Sequence, residues 1–517
     1  FCFQGRLIKQ FGELITFFLP IQEPPRSGTL CDFTENSLHR RSSITSCKIT
    51  LLPLWLNKRY YEQIDGKNID ISGEIPFELP EGWAWCRMQN VTRQITDGEH
   101  LTPKREENYS GYYLISARNV LNTGLDLSVV DFVSQETYEL LAIRCAPQIG
   151  DILLSCSGSV GRCCVCDVSN CVMVRSVALI APLTMSSLYL RYVIQSLAVQ
   201  KQIQKKQKQV AQANIFQAEI KALLFPLPPL AEQKRIVAQI ESLLKCVDEI
   251  DRELETLEKS ISLAKQKVLD LAIRGKLVPQ NPEDEPASEL MKRIKAEKEA
   301  LVKAGKLKKN KHESFIFKGD DNCYHENIDG KSSDITGEIP FELPQSWIWC
   351  RIGNIGTINP RNHVADDSTM VSFMPMTQLE GGYGSNYTLS ERTWQDVKTG
   401  FTHIQENDVV FAKITPCFQN RKSAIMRGLK NGYGAGTTEL HVIRCFFPVF
   451  PEYILWFLKN QTFISDAVST IQGVVGQQRI DANFIRNYLL PLPPLSEQKR
   501  IVAQVEKLLS VLETMRG

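Results

Sequence analysis

From Ile236 the apolar positions step by four and three without a break: Ile236, Ile240, Leu243, Val247, Ile250, Leu254, Leu257, Ile261, Ala264, Val268 and Leu271. Only a 3.5-residue period keeps one stripe facing a partner helix, so the run predicts a coiled-coil seam rather than a helix sunk in one globule. Flanking residues such as Asp248, Glu249, Arg252, Glu253, Glu255 and Lys259 suit a solvated outer face. Pro228 and Pro229 bar any helix before Leu230, and Gly275 ends the run. A helix of about 45 residues is about 65 Å long, the dimension of a spacer. A second stripe begins in the same phase at Ile501, Val505, Leu508 and Leu512. The first helix is its natural partner, and equivalent starting points in a two-fold arrangement predict antiparallel pairing, with the flanking domains set apart. Short apolar runs at 151–154 and 409–412 predict strands, and 286–311 predicts a basic amphipathic helical linker.

The pattern is written twice. GEIPFELPEGWAWCRM (73–88) returns as GEIPFELPQSWIWCRI (337–352), and PLPPLAEQKRIVAQIESLL (226–244) returns as PLPPLSEQKRIVAQVEKLL (491–509). The interiors between these motifs are 137 and 138 residues long and share little sequence until Gln212/Gln477, Ile215/Ile480, Ile220/Ile485 and Leu224/Leu489. Equal length with unlike content implies one scaffold carrying two different surfaces. A duplicated enzyme would keep one polar constellation twice, and none is found. Two half-sites that read two different things is the natural inference. Trp83/Trp85 and Trp347/Trp349 are nearly the same in both halves, which favours a scaffold role over base stacking. The resulting fold class is α/β (α+β): two mixed α/β domains joined by long antiparallel helices, with an internal pseudo-two-fold repeat. The expected segments are 1–58, an extension without a counterpart; 59–225, the first domain; 226–275, the central helix; 276–336, the linker; 337–490, the second domain; and 491–517, the C-terminal helix.

Composition narrows the functions. In 517 residues, 43% are apolar and 23% charged, enough for real cores, and Lys+Arg 60 against Asp+Glu 58 excludes a globally basic binder while allowing local basic faces. No apolar run approaches the ~18 residues that cross a bilayer. The stretch 11–21 contains Glu13 and makes a poor signal peptide. Fifteen cysteines are too sparse for a disulfide scaffold and fit a reducing cytosol. The group Cys156, Cys163, Cys164, Cys166 and Cys171 lacks paired C-x-x-C spacing and reads as buried thiols rather than a zinc site. Gly330-Lys331-Ser332 lacks the upstream glycine of a phosphate loop. Asn359-Pro360-Arg361-Asn362 opens like the catalytic motif of DNA amino-methyltransferases but lacks its second proline and aromatic, and no glycine-rich cofactor loop accompanies it.

The repeated GEIPFELP-x-x-W-x-WCR, the repeated PLPPL-x-EQKRIV and the heptad helix leading into RGKLVPQNPEDEPASEL (274–290) together resemble one family, the DNA-specificity (S, HsdS) subunits of type I restriction–modification systems. The likeness covers about residues 60–517. TDGEHLTP (96–103) and GDILLSCSGSVGR (150–162) resemble recognition-domain signatures of one subtype; VSFMPM (371–376), NDVVFAKITPCFQNRK (407–422) and GTTELHVIR (436–444) resemble another. The resemblance implies a cytoplasmic, non-catalytic subunit whose two recognition domains each bind half of a bipartite site in double-stranded DNA. It implies helices that dock two methyltransferase subunits, with two restriction subunits joining afterwards. S-adenosylmethionine, ATP and Mg²⁺ would be needed by the complex and held by partners, with no metal or cofactor bound here. A polypeptide with its own methyltransferase site, or a coiled-coil adaptor without a DNA role, are the alternatives.

DNA contact needs cations for phosphates and planar polar groups for base edges. The candidates in the first half are His100, Lys104 and Arg105 in or after TDGEHLTP, Arg162 after SGSVG, and Lys201, Lys205, Lys208 and Gln212 in a Lys/Gln-rich stretch. In the second half they are Arg361, Asn362, Lys413, Arg421, Lys422, Gln477, Gln478 and Arg479. Arg, Asn and Gln are the expected base readers, and the lysines the phosphate contacts.

Overall fold

The computed structural model describes residues 59–64, 67–207, 214–308, 313–470 and 479–515. The chain forms two compact units, Phe1–Glu249 and Ile250–Gly517, so the division falls inside the long helix rather than at its start.

Each unit is built on the same platform. In unit 1 strand Ala84–Arg87 pairs antiparallel with Leu224–Leu227, Arg87 opposite Leu224. In unit 2 Ile348–Arg351 pairs with Leu489–Leu492, Arg351 opposite Leu489. Pro226 and Pro491 are tolerated because each ladder has only two strands, leaving one edge free of a bonding partner. The motif residues explain themselves in place. Trp85 and Trp349 are buried and lie 5.1 and 5.0 Å from Phe77 and Phe341, ring centre to ring centre. Arg87 forks onto Glu62 and Glu74 and donates to Ala222 O at 3.0 Å. Arg351 does the same with Glu326, Glu338 and Asn487 O at 2.8 Å. Gln233 and Gln498, from the two EQKRIV motifs, each donate to a proline carbonyl at 2.9 Å and accept a backbone N–H from the neighbouring helix region.

Above the platform each unit carries two sheets. In unit 1 one sheet orders Thr92–Asp97, Val177–Pro182, Ile152–Ser155 and Cys163–Val165, all antiparallel; the other orders Asp131–Phe132, Tyr113–Ile115 and Cys171–Met173, the last pair parallel. Unit 2 repeats the plan with Gly356–Ile358, Leu440–Cys445, Val409–Ala412 and Ser423–Ile425. Its second sheet orders Ser390–Thr393, Met370–Met374, Tyr433–Gly436 and Thr402–Gln405, with Met370–Met374 parallel to Tyr433–Gly436. Ile152–Ser155 and Val409–Ala412 are buried at every position, which is why they read as continuous apolar runs. Cys156, Cys163, Cys164, Cys166 and Cys171 are all buried, and burial pushes the Cys156 and Cys164 thiols up to about 12.

The long helix runs Leu230–Ile273, 44 residues, as the proline and glycine signals predict. Gly275 follows with φ +65, and a Cβ there would stand 2.5 Å from Pro344 Cγ. Its seam is a correction to the sequence reading. Within unit 2 the C-terminal helix Leu495–Thr514 packs antiparallel on the end of the long helix: Lys265 pairs with Glu513, and Leu269, Ala272 and Ile273 share a core with Ile501, Val502, Val505 and Leu509. Ile261 is buried there, while Val268, Leu271, Leu508 and Leu512 are half-buried. Ile236 packs on the unit 1 core, with Ile240 and Val247 half-buried. Leu243, Ile250, Leu254 and Leu257, however, are 41, 55, 52 and 42% exposed. A helix of 20 residues spans about 30 Å and reaches less than half of a 44-residue neighbour, so it does not extend over the middle of the stripe.

The linker at 276–336 is also corrected. Helix Ala287–Lys303 buries Ala287, Leu290 and Ile294 completely in the unit 2 core, and Lys298 lies 3.5 Å from Glu313. It is followed by a three-stranded sheet, Ser314–Lys318, Tyr324–Ile328 and Lys331–Asp334. The segment is part of the second domain.

Candidate nucleic-acid interface

In both units the ends of the parallel strand pair gather loops that are far apart in sequence. In unit 1 the backbone of Glu99 receives Arg175 N–H at 2.9 Å and donates to Met173 O at 2.8 Å. Ala117 N–H reaches the Ser176 hydroxyl at 3.1 Å, Cys156 N–H the Ser176 carbonyl at 2.8 Å, and Ile215 N–H the Cys156 carbonyl at 3.1 Å. Five segments therefore meet at one edge: 97–100, 115–119, 156–162, 174–176 and 214–217. Gly98 is required there, since a Cβ would stand 2.3 Å from Met173 O. In unit 2 the matching contacts are Asn359 N–H to Val442 O at 2.8 Å, Thr437 N–H to Met374 O at 3.3 Å, Lys413 N–H to Glu439 O and Ile480 N–H to Lys413 O, both at 2.9 Å. Loops on rigid strand ends are where a fold places recognition side chains.

Of the sequence-predicted residues, His100 and Arg162 in unit 1 and Arg361, Asn362, Lys413 and Arg479 in unit 2 come to these edges, but several are already engaged. In unit 1 Asp97 organises its corner: His100 Nε2 donates to it at 2.8 Å, Arg144 approaches at 3.2 Å, and Gln217 also donates. Burial works against that carboxylate, yet the His100 and Gln217 hydrogen bonds outweigh it and hold its pKa below the usual range. Arg105 pairs with Asp131 at 3.2 Å, while Lys104 is exposed and makes no ion pair among the described residues. Arg162 turns inward, donating from Nη2 to Ala117 O at 3.0 Å, with its Nε buried and unpartnered. The small residues of SGSVG serve the protein itself: a Cβ at Gly161 would meet the Gln200 amide at 2.7 Å. Lys201 and Lys205 are exposed on helix Leu197–Gln207. Lys205 lies toward Glu74 of the platform, whose carboxyl is held low chiefly by the Arg87 hydrogen bond. Lys208, Gln212, Gln477 and Gln478 fall outside the described residues.

In unit 2 Asn362 is a correction. It is 7% exposed, donates to Ile404 O at 2.7 Å and accepts from Arg444 at 2.9 Å, so its amide is spent inside the fold. Arg421 donates to Lys459 O at 3.1 Å and stacks over Tyr383; Lys422 donates to Met376 O at 3.3 Å. Arg479 forks onto Glu439, which it holds below the usual carboxylate range. Lys413 is half-buried beside the same glutamate. Arg361 alone of this set stands exposed with no hydrogen bond or ion pair among the described residues.

Sequence reasoning missed Arg175, exposed at the turn between two buried strands of unit 1, and the buried, unpartnered Gln378 Oε1 and Thr437 Oγ1 at the unit 2 edge. A cation interrupting CVMVRSVALI was the available signal for the first. Among the described residues, no cluster of His, Cys, Asp and Glu is arranged to hold a metal ion, and no helix is long and apolar enough to cross a membrane.

Residues 89–259 match the family described as the type I restriction modification DNA specificity domain. Over 256 residues the chain is 42% identical to the specificity subunit of the type I restriction enzyme EcoAI of Escherichia coli, an alignment covering 49% of this chain and 40% of that one. It is 24% identical over 459 residues to the EcoKI specificity subunit of Escherichia coli K12, covering 85% and 84%. Among solved structures, the HsdS subunit from Thermoanaerobacter tengcongensis matches with a TM-score of 0.50 at 16% identity, over 86% of this chain and 94% of that one. A chain from work on complex assembly and conformational transition of the type I R-M system reaches 0.53 at 17% identity, over 85% and 93%. The structural likenesses show the fold. The chain spans 40% of the length of the EcoAI and EcoEI subunits.

Proposed function

We propose that the chain is a specificity subunit of a type I restriction–modification system, the non-catalytic DNA-reading subunit of such a complex. Each unit reads one half of a bipartite duplex target. The observation that carries this reading is the pair of loop edges, alike in backbone plan and unlike in side chains, on two platforms that share one strand register. Methylation and cleavage belong to two methyltransferase and two restriction subunits, which hold S-adenosylmethionine, ATP and Mg²⁺. The exposed faces of the helices, including the uncovered stripe Leu243, Ile250, Leu254 and Leu257, dock these partners. The complex works in the cytoplasm, where its DNA is.

The test is selection of a random-sequence duplex library by the full chain, with methyltransferase partners supplied. Enrichment of two unlike short motifs at a fixed gap is the expected result. Enrichment of a single motif, or of none, would reject the two-reader assignment.

A further inference from the structure

Loop 359–363 of unit 2 is fastened on both sides of one residue. Asn359 sits at φ 51, a left-handed conformation that asparagine tolerates. Its Oδ1 accepts Val442 N–H at 3.0 Å and its Nδ2 donates to His441 Nδ1 at 3.0 Å. His441 in turn donates from Nε2 to Ile480 O at 2.8 Å, which fixes the tautomer that leaves Nδ1 free to accept. On the far side Asn362 donates its backbone N–H to His403 Nδ1 at 2.9 Å, while His403 Nε2 donates to Lys398 O at 3.1 Å. Arg444 closes the set, holding Asn362 Oδ1 and the buried Asp408 together. Burial holds both histidines below the usual imidazole range, so they remain neutral acceptors. Between these anchors, after Pro360 has fixed its own φ, stands Arg361, an exposed residue.

The other cations of this edge have partners: Arg479 and Lys413 face Glu439, and Arg421 and Lys422 are tied to carbonyls. Phosphate contact tolerates a mobile side chain. Base reading requires a donor whose backbone is held, because ordering it on binding would otherwise consume the gain. A guanidinium presents two parallel donors, and guanine N7 and O6 are the pair of major-groove acceptors that match them.

We propose that Arg361 reads a guanine in the half-site of unit 2, with His441 and His403 as positioning residues acting through Asn359 and Asn362. This rests on the DNA-reading function proposed above. The experiment compares the selection of random duplexes by the wild-type full chain, Arg361→Ala and Arg361→Lys, alongside the salt dependence of binding to the wild-type motif. Arg361→Ala should lose discrimination at one G·C pair of one half-site by about 5- to 150-fold and leave the other half-site intact. Arg361→Lys, which keeps the charge but not the fork, should lose most of the same discrimination. His441→Gln should weaken reading at that same pair, whereas a merely structural loss would weaken all sequences alike. Equal weakening of every sequence by Arg361→Ala, with the salt slope reduced by about one, would make Arg361 a phosphate contact and overturn the proposal. An unchanged motif would overturn it too. If the wild-type chain selects no motif, the DNA-reading function itself falls and takes this assignment with it. Thermal melting of Arg361→Ala, a change at an exposed side chain, separates either outcome from misfolding.

Discussion

The platforms of the two units and the loop edges above them follow opposite rules. On the platforms, polar residues recur with their partners: Arg87 and Arg351 fork onto paired glutamates, Gln233 and Gln498 bridge a proline carbonyl to a helix region, and Tyr189 and Tyr453 each donate to the carbonyl of the strand proline, at 2.9 and 2.7 Å. Even the orphans recur, with Trp85 Nε1 and Trp349 Nε1 both buried without a partner. One link of this kind extends into the sheets. Asp151 and Asp408 are buried at the entry to equivalent strands, each follows a left-handed residue (Gly150, Asn407), and each is held by an arginine. Among the described edge residues the side chains differ: Asp97 and His100 occupy the loop that in unit 2 carries Asn359, Arg361 and Asn362, and the cations that recur in place, Arg162 and Lys422, are tied to the carbonyls of Ala117 and Met376. Repeated polar residues are thus committed to the fold, and the side chains free of such ties, Lys104 and Arg361 among the described candidates, are found where the two units differ.

The largest effects test the committed set. Arg444→Ala leaves Asp408 buried without its counter-ion and strips a donor from Asn362, and should cost about 3–5 kcal/mol in urea unfolding of the full chain. Arg93→Ala, whose guanidinium is more exposed and makes one bond to Asp151, should cost less. An equal cost would mean that the extra bonds of Arg444 contribute nothing. Next, Tyr189→Phe and Tyr453→Phe each remove one buried hydroxyl bond and should cost about 0.5–1.5 kcal/mol. The comparison requires similar values in the two units, and a cost confined to one would break the equivalence.

A smaller effect marks where the platforms diverge. Glu497 is fully buried and accepts from Trp347 Nε1 at 2.9 Å and from Gln280 at 2.6 Å, whereas Glu232 and Trp83, the matching pair of unit 1, are half-buried. Burial raises the Glu497 pKa above its usual value, against the pull of those two donors. A carboxyl raised in the folded state favours folding when protonated, so its contribution is present below the unfolded pKa and is lost as pH rises through the folded one. Glu497→Gln should therefore flatten the fall in stability as pH rises from about 4.5. A slope unchanged in the variant would remove Glu497 as its source.

How much of this was legible follows the same division. The repeat, the strands at 152–155 and 409–412, and the start and stop of the long helix were plain, because proline, glycine and apolar runs act locally. The burial of Ala287, Leu290, Ile294 and Lys298 also had a signal, the stripe at helical spacing that makes 286–311 amphipathic, but a stripe does not say which core it enters. Closure of the seam was not legible, because it depends on how far a second helix reaches. Nor was the fate of Asn362, whose partners lie 41 and 82 residues away. A cation in a loop has the same letters whether it meets a carbonyl, as Arg162 does, or faces solvent, as Arg361 does.

Lys104 offers the smallest effect and the sharpest contrast. It is exposed after the Asp97 corner and has no ion pair among the described residues, so Lys104→Ala should leave stability within about 0.5 kcal/mol of the wild type. A lysine on a loop neutralises a phosphate as a point charge and releases about one counter-ion on doing so. Binding should therefore weaken for all sequences alike, and the dependence of affinity on salt should fall by about one in its log–log slope. Arg361→Ala is expected to do the reverse, sparing the slope and erasing one base pair. If Lys104→Ala instead erases a base preference in the half-site of unit 1, then that edge reads with a lysine, and a fastened backbone beside the reader is not a requirement of these edges.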